Sequence, residues 1–223
     1  MNPNLQYYSS NYKLNYKLYL LYFGMAILAM LLIIYLYFRA RYKFWSIQPV
    51  FHYHNLKYWL FPPGIIQHKL PFPDKYFNPL IYFTSIDKLT EENKQLFHTL
   101  IKYNYMPYKT EKYNPKIDDI FDYFKGHNDE SFISMFFKNG ICVSSMTTRP
   151  MYATIHNKPL KLGYVDFLCV KKSERKKNLA PEIIFTHYLN QRKCHDTSVY
   201  MFKREGKKTM IVPTTSYDNF SFS

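Results

Sequence analysis

Twenty-one consecutive residues, 18–38, read LYLLYFGMAILAMLLIIYLYF and carry no charge. As an α-helix they extend about 32 Å, close to the hydrocarbon thickness of a bilayer. Tyr16, Tyr19 and Tyr22 stand at one end of the run and Tyr35 and Tyr37 at the other, placing aromatic side chains at both membrane interfaces. A cleaved signal peptide has a shorter apolar core and a small-residue cleavage site after it; neither is present. The sequence therefore predicts a short polar tail at 1–17, then one transmembrane helix at 18–38. Lys13 and Lys17 flank the near side, and Arg39, Arg41, Lys43 and Lys57 flank the far side. This bias predicts a single-pass membrane protein whose C-terminal domain is cytosolic. No acidic residue precedes Asp74, and the net charge is +14. The cations beyond the helix suit anionic headgroups of a lipid bilayer.

The rest of the chain is long enough for one compact domain. Residues 39–79, rich in Pro and aromatics, read as an extended arm, and residues 80–223 as the domain. Helical periodicity appears at 90–103, where Leu96, Leu100 and Tyr103 form a stripe behind a Thr90 cap, and again at 116–125. β-rich runs follow at 131–138, 141–147 and 160–170. Asn139-Gly140 marks a hairpin between the first two. A helix at 181–192 has Pro181 in its first turn, and short strands are predicted at 199–202 and 208–212. The layout is α+β with a mixed central sheet. Cys142, Cys169 and Cys194 are too few and too scattered for a disulfide framework. His52 and His54 have no third ligand nearby in sequence, so no metal site is expected.

The segment KLGYVDFLCVKKSERKKNLAPEII, at 161–184, joins an apolar strand to a helix through Lys171, Lys172, Arg175, Lys176 and Lys177, with Glu174 the one acid. The first N–H groups of a helix point outward unpaired and favour anions. A phosphate or pyrophosphate fits this junction; so does a merely solvated loop. Nucleic acid is not expected as a partner, because the cations cluster in one loop rather than along a face.

Two segments add a family resemblance. YKFWSIQPV at 42–50 and FLCVKKSERKKNLAP at 167–181 resemble signature segments of the N-myristoyltransferase family. The first is matched by Phe44, Trp45, Gln48, Pro49 and Val50. The second is matched by Phe167, Leu168, Cys169, Val170, Lys172, Arg175, Lys177, Leu179, Ala180 and Pro181. The resemblance covers only the family's N-terminal, acyl-CoA-binding half. It implies one GNAT-like (acyl-CoA N-acyltransferase) domain. Tyr42, Lys43, Phe44 and Trp45 are implied to lie against CoA. The backbone N–H groups of Phe167 and Leu168 are implied to form an oxyanion hole. Val170, Lys172 and the run Arg175, Lys176, Lys177, Asn178, Leu179, Ala180 and Pro181 are implied to wrap the CoA phosphates. Asn178 stands where the wider GNAT pattern has glycine, and Asn tolerates left-handed backbone angles.

The implied function is membrane-anchored transfer of a myristoyl group from CoA, as substrate, to a protein or peptide with an N-terminal glycine. No permanently bound cofactor is implied. Two departures bear on this. The family's second half, with its terminal carboxylate base, has no counterpart, which leaves room for a partner or second copy. Asp166 replaces the family's Asn, and a carboxylate there can act as base if it comes within about 3 Å of the amine; the structural alternative is that it pairs with a loop lysine or accepts backbone hydrogen bonds. The competing readings are an inactive acyl-CoA-binding or interaction module at a membrane, and a GNAT acetyltransferase.

Overall fold

The computed structural model describes residues 3–55, 59–61, 64–105, 113–155, 157–204, 211–213 and 215–216, with side chains from Tyr16 onward except that of Ile155. Lys57 and the first three positions of the strand expected at 208–212 lie outside the described residues. The chain divides into two compact units, Met1–Val50 and Phe51–Ser223.

The first unit is one helix and its exit. Helix α1 spans Pro3–Arg41, longer at both ends than the uncharged run. Its Tyr16–Arg41 portion is long and apolar enough to cross a membrane and is not buried. Arg39 and Arg41 occupy the last turn, where cations offset the unpaired carbonyls, and the Arg39 guanidinium donates to the Tyr35 hydroxyl at 2.7 Å. A 3-10 turn, Trp45–Ile47, follows.

The second unit is a five-stranded sheet with helices on both faces. In chain order it contains β1 (Tyr82–Ser85), α2 (Glu91–Asn104), α3 (Ile117–Asp122), β2 (Phe132–Lys138), β3 (Ile141–Ile155), β4 (Lys158–Val170), α4 (Leu179–Cys194) and β5 (Tyr200–Phe202). Neighbours follow chain order from β1 to β5. All pairs are antiparallel except β4 with β5, which is parallel. The α+β layout with a mixed sheet is thus as the sequence predicts. β1 was not expected: four residues carry too little alternation to be read as a strand.

Local chemistry accounts for the elements. Thr90 accepts the Asn93 N–H at 3.3 Å and caps α2. The buried stripe of α2 is Phe97, Leu100 and Ile101, whereas Tyr103 is 71% exposed; the expected stripe was right at Leu100 and turned away from the core at Tyr103. Asn139 at φ 50° and Gly140 at φ 72° provide the two left-handed residues of a tight hairpin. β3 runs on to Ile155, eight residues past the expected end, because β4 pairs with it through Ile155↔Lys158.

β2 is buried on both sides. Ile133 and Met135 face a core shared with Phe97, Leu100, Ile101 and Phe124. Phe136 faces a second core with Val143, Met146, Leu179 and Ile183 beneath α4. Full burial on both sides explains why this strand is a continuous apolar run with little alternation.

The α4 side also encloses a polar chain. Thr148 Oγ1 donates to Gln191 Oε1 at 2.8 Å and lies 2.9 Å from His187 Nε2, while Ser134 Oγ lies 2.8 Å from His187 Nδ1. With its one proton spent on Gln191, the Thr148 hydroxyl must accept from Nε2–H, so Nδ1 accepts from Ser134. Burial pushes the His187 imidazole down to about 3. Its neutral form is therefore the folded form. Stability should be full above about pH 6.5, where the unfolded imidazole is also neutral, and should fall as pH drops toward about 3, by up to ~1.4 kcal/mol per pH unit. Urea midpoints at pH 7 and pH 5 test this, and His187→Gln should remove most of that slope.

Where β4 meets β5, a Cβ on Gly163 would lie 3.0 Å from the Tyr200 ring carbons. Gly163→Ala should therefore cost about 1–2 kcal/mol through overpacking, read as a lowered denaturant midpoint with an unchanged slope.

Candidate functional site

β4 is interrupted at Phe167. In the ladder with β3, Ser145 faces Cys169 and Thr147 faces Asp166, so Phe167 and Leu168 stand opposite no β3 partner. Phe167 has φ 45°. An extra residue in a left-handed conformation defines a β-bulge, which bends the strand and re-aims its peptide groups. A left-handed turn at a bulky residue costs roughly 1–2 kcal/mol. The side chain offsets this: Phe167 is buried, with Phe97, Tyr105, Phe124 and Tyr123 rings 5.9, 5.4, 5.9 and 6.2 Å away. Such ring pairs contribute about 0.5–1.5 kcal/mol each. Ser145 Oγ and Thr147 Oγ1 donate to the carbonyls of Phe167 and Asp166 at 3.2 and 2.9 Å. The bulge is thus held from both the core and the neighbouring strand. Leu168 next to it is exposed.

The other edge of β4 opens at the same place. β5 pairs only with Gly163, Tyr164 and Val165, so residues 166–170 have no strand beside them on that edge among the described residues. The sheet splits next to the bulge.

The basic loop follows directly. The Lys172 N–H donates to Asn104 Oδ1 at 2.9 Å, and the Arg175 guanidinium donates to the Val170 carbonyl at 3.1 Å and the Asn104 carbonyl at 2.9 Å. Arg175 therefore braces the loop against the end of α2, a role composition could not reveal. Glu174 accepts from Lys138 at 2.6 Å and from Lys177 at 3.0 Å; these bonds hold its carboxyl below the usual range. The ammonium groups of Lys171, Lys172 and Lys176 have no partner among the described residues. Lys176 and Asn178 adopt φ 66° and 63°, so Asn178 takes the left-handed angle that glycine would take. It precedes α4 without a side-chain cap. Pro181 has no N–H, leaving Leu179 and Ala180 as the first-turn donors without an intrahelical partner. Two uncapped N–H groups and three unpartnered ammonium groups share this short segment, a chemistry that favours an anion.

Asp166 sits one residue before the bulge. Its Oδ2 accepts from the Tyr123 hydroxyl at 3.0 Å and lies 3.3 Å from Arg149 Nε. Arg149 Nε also donates to the Tyr123 oxygen at 2.6 Å. Burial raises the Asp166 carboxyl, while Tyr123 and Arg149 pull it down. The sequence suggested a loop lysine as its partner; the structure supplies Arg149 from β3 and Tyr123 after α3. Neither was anticipated, since a strand arginine and a lone tyrosine carry no motif. Cys142 and Cys169 are buried, and burial pushes both thiols up to about 12, which disfavours the nucleophilic thiolate at neutral pH. Tyr42, Lys43, Phe44 and Trp45 belong to the first unit. There Tyr42 stacks on Phe38 at 6.0 Å, and Phe44 meets Trp45 edge-on at 5.0 Å. Among the described residues no cluster of metal-ligating side chains occurs.

No protein-family model and no curated protein matches the chain. Solved structures do. A Saccharomyces cerevisiae N-myristoyltransferase with bound myristoyl-CoA aligns at a TM-score of 0.57 and 20% identity, over 72% of this chain and 39% of that enzyme. A second structure with bound myristoyl-CoA gives 0.56, and a third, with bound myristoyl-CoA and inhibitors, gives 0.53, each at 20% identity over 72% of this chain and 38% of that one. The fold is N-myristoyltransferase-like, and the chain spans well under half the length of those enzymes.

The left-handed angle of Asn178 gives a direct test. Asn178→Ala should lower stability by about 1 kcal/mol, whereas Asn178→Gly should stay within a few tenths, as read from paired denaturation curves.

Proposed function

We propose that this chain is a membrane-anchored N-acyltransferase that moves a long acyl group, myristoyl, from CoA to the amine of an N-terminal glycine. One observation carries the reading: the Phe167 bulge, the opening of β4 beside it and the cationic start of α4 follow one another within 16 residues, 166–181. An acyl-CoA can use them together: donors at the bulge suit the thioester oxygen, and the cationic helix start suits the phosphates.

In this reading the CoA phosphates rest on the N–H groups of Leu179 and Ala180 and on Lys171, Lys172 and Lys176. Arg175 holds the loop in shape from behind. The thioester carbonyl lies at the bulge, where the N–H groups of Phe167 and Leu168 receive the oxygen. The amine attacks the carbonyl carbon, the C–N bond forms, and negative charge gathers on that oxygen. Donors fixed in advance stabilise this charge more than they stabilise the ground-state carbonyl. Collapse breaks the C–S bond and releases CoA as the thiol. Helix α1 inserts in the bilayer, with its cationic exit on the cytosolic side, and keeps the domain where an acylated product enters the lipid.

The ion pair around Asp166 favours a second reading, an acyl-CoA-binding module that transfers nothing. Native mass spectrometry of the full chain in detergent micelles, with myristoyl-CoA and a peptide beginning with glycine, separates the two. The enzyme yields acylated peptide and free CoA. A retained acyl-CoA adduct without product indicates the module. A folded chain that holds no acyl-CoA removes both readings.

A further inference from the structure

The two carboxylate oxygens of Asp166 have different surroundings. Oδ2 takes both partners, the Tyr123 hydroxyl and Arg149 Nε. Oδ1 accepts from no described residue, yet it is not among the buried polar atoms that lack a partner; it opens to solvent. An arginine that only neutralises a carboxylate tends toward the two-pronged arrangement that satisfies both oxygens. Here that arrangement is absent. The Arg149 guanidinium lies over the rings of Tyr123 and Tyr164, 5.0 and 4.7 Å from their centroids, and reaches Asp166 through Nε alone. The Tyr123 hydroxyl occupies the remaining side of Oδ2. Arg149 and Tyr164 are register partners, as are Thr147 and Asp166, so Arg149, Tyr164 and Asp166 project from one face of the sheet. The carboxylate is clamped by one oxygen and presents the other beside the bulge.

We propose that Oδ1 of Asp166 is the seat of a primary ammonium group, the acceptor's N-terminus, and that Arg149 and Tyr123 are positioning residues that aim this oxygen. The inference rests on the acyltransferase reading for its chemistry. The ammonium hands one proton to Asp166 and becomes a neutral amine. The amine attacks the thioester carbon and the C–N bond forms. As the C–S bond breaks, the departing thiolate takes the second amine proton, giving an amide and CoA thiol. Asp166 then returns its proton to water. Among the described residues, the titratable and charged groups facing Asp166 are Tyr123, Arg149 and Tyr113, whose phenol is raised partly by the Asp166 charge.

The test compares two peptides of one sequence, one with a free N-terminal glycine and one N-acetylated. Each is titrated calorimetrically against the full chain in detergent with a non-hydrolysable myristoyl-CoA analogue in excess. The free amine should bind at least 10-fold more tightly. Asp166→Asn should abolish the difference, and Arg149→Gln and Tyr123→Phe should reduce it several-fold. Selectivity in the unaltered chain should be present at neutral pH and fade as pH drops through the Asp166 carboxyl's titration; this arm needs no variant to fold. Equal binding of the two peptides, or selectivity that survives in a folded Asp166→Asn chain, overturns the proposal. Selectivity without acyl transfer leaves the ammonium seat standing and removes the transferase reading. Transfer with equal binding does the reverse.

Discussion

A single left-handed residue near the end of β4, with its side chain buried, organises the second unit. Phe167 cannot hold φ 45° unless its surroundings make every alternative worse. The rings of Phe97, Tyr105, Tyr123 and Phe124 do this from one side, and the hydroxyls of Ser145 and Thr147 do it along the backbone. Those rings come from α2, the residue after α2 and the turns after α3, so the placement of both helices is tied to the bulge. Burying the ring contributes about 1.5–3 kcal/mol, enough to exceed the local backbone cost of about 1–2 kcal/mol. Strain of this kind persists where packing over-determines it.

Much of the sheet was legible because its signals are local. Asn139-Gly140 specifies a tight turn by itself, Thr90 specifies a helix start, and Asn178 was readable as a left-handed stand-in for glycine. The strand, basic loop and helix start at 161–184 were legible for the same reason: apolar runs, lysines and a first-turn proline are local facts. Side-chain partnerships across long separations were not legible. Arg175 looked like one more phosphate-binding cation, and only the fold brings Asn104 to it. Arg149 and Tyr123 are separated in sequence from Asp166, and nothing in their local pattern marks them. β1 was missed because four residues show too little periodicity, and β3 was cut short because its outer half is defined by pairing with β4.

The α4 face illustrates a different kind of hidden order. Ser134, Thr148, His187 and Gln191 are buried polar residues from three elements. Read singly, each is an oddity in an apolar run. Together they satisfy one another, and a satisfied polar chain fixes how a helix seats on a sheet more sharply than interchangeable apolar contacts do. Asn78 adds a further tie, accepting no substitute easily: its N–H donates to Thr186 and its side-chain amide to Glu182. The helix that follows the basic loop is thereby registered at both ends.

Helix α1 is 39 residues long, a rod of about 58 Å, nearly twice the hydrocarbon thickness of a bilayer. A rod that crosses such a layer must project well beyond it or tilt steeply. If α1 is the proposed membrane anchor, Arg39 and Arg41 in its last turn hold that end at the headgroup boundary. In that arrangement the surplus falls on the N-terminal side, as a stiff post continuous with the span. Such a post acts as a lever: a push on its far end is transmitted through the bilayer as rotation or tilt of the same helix, whereas a flexible tail would absorb it.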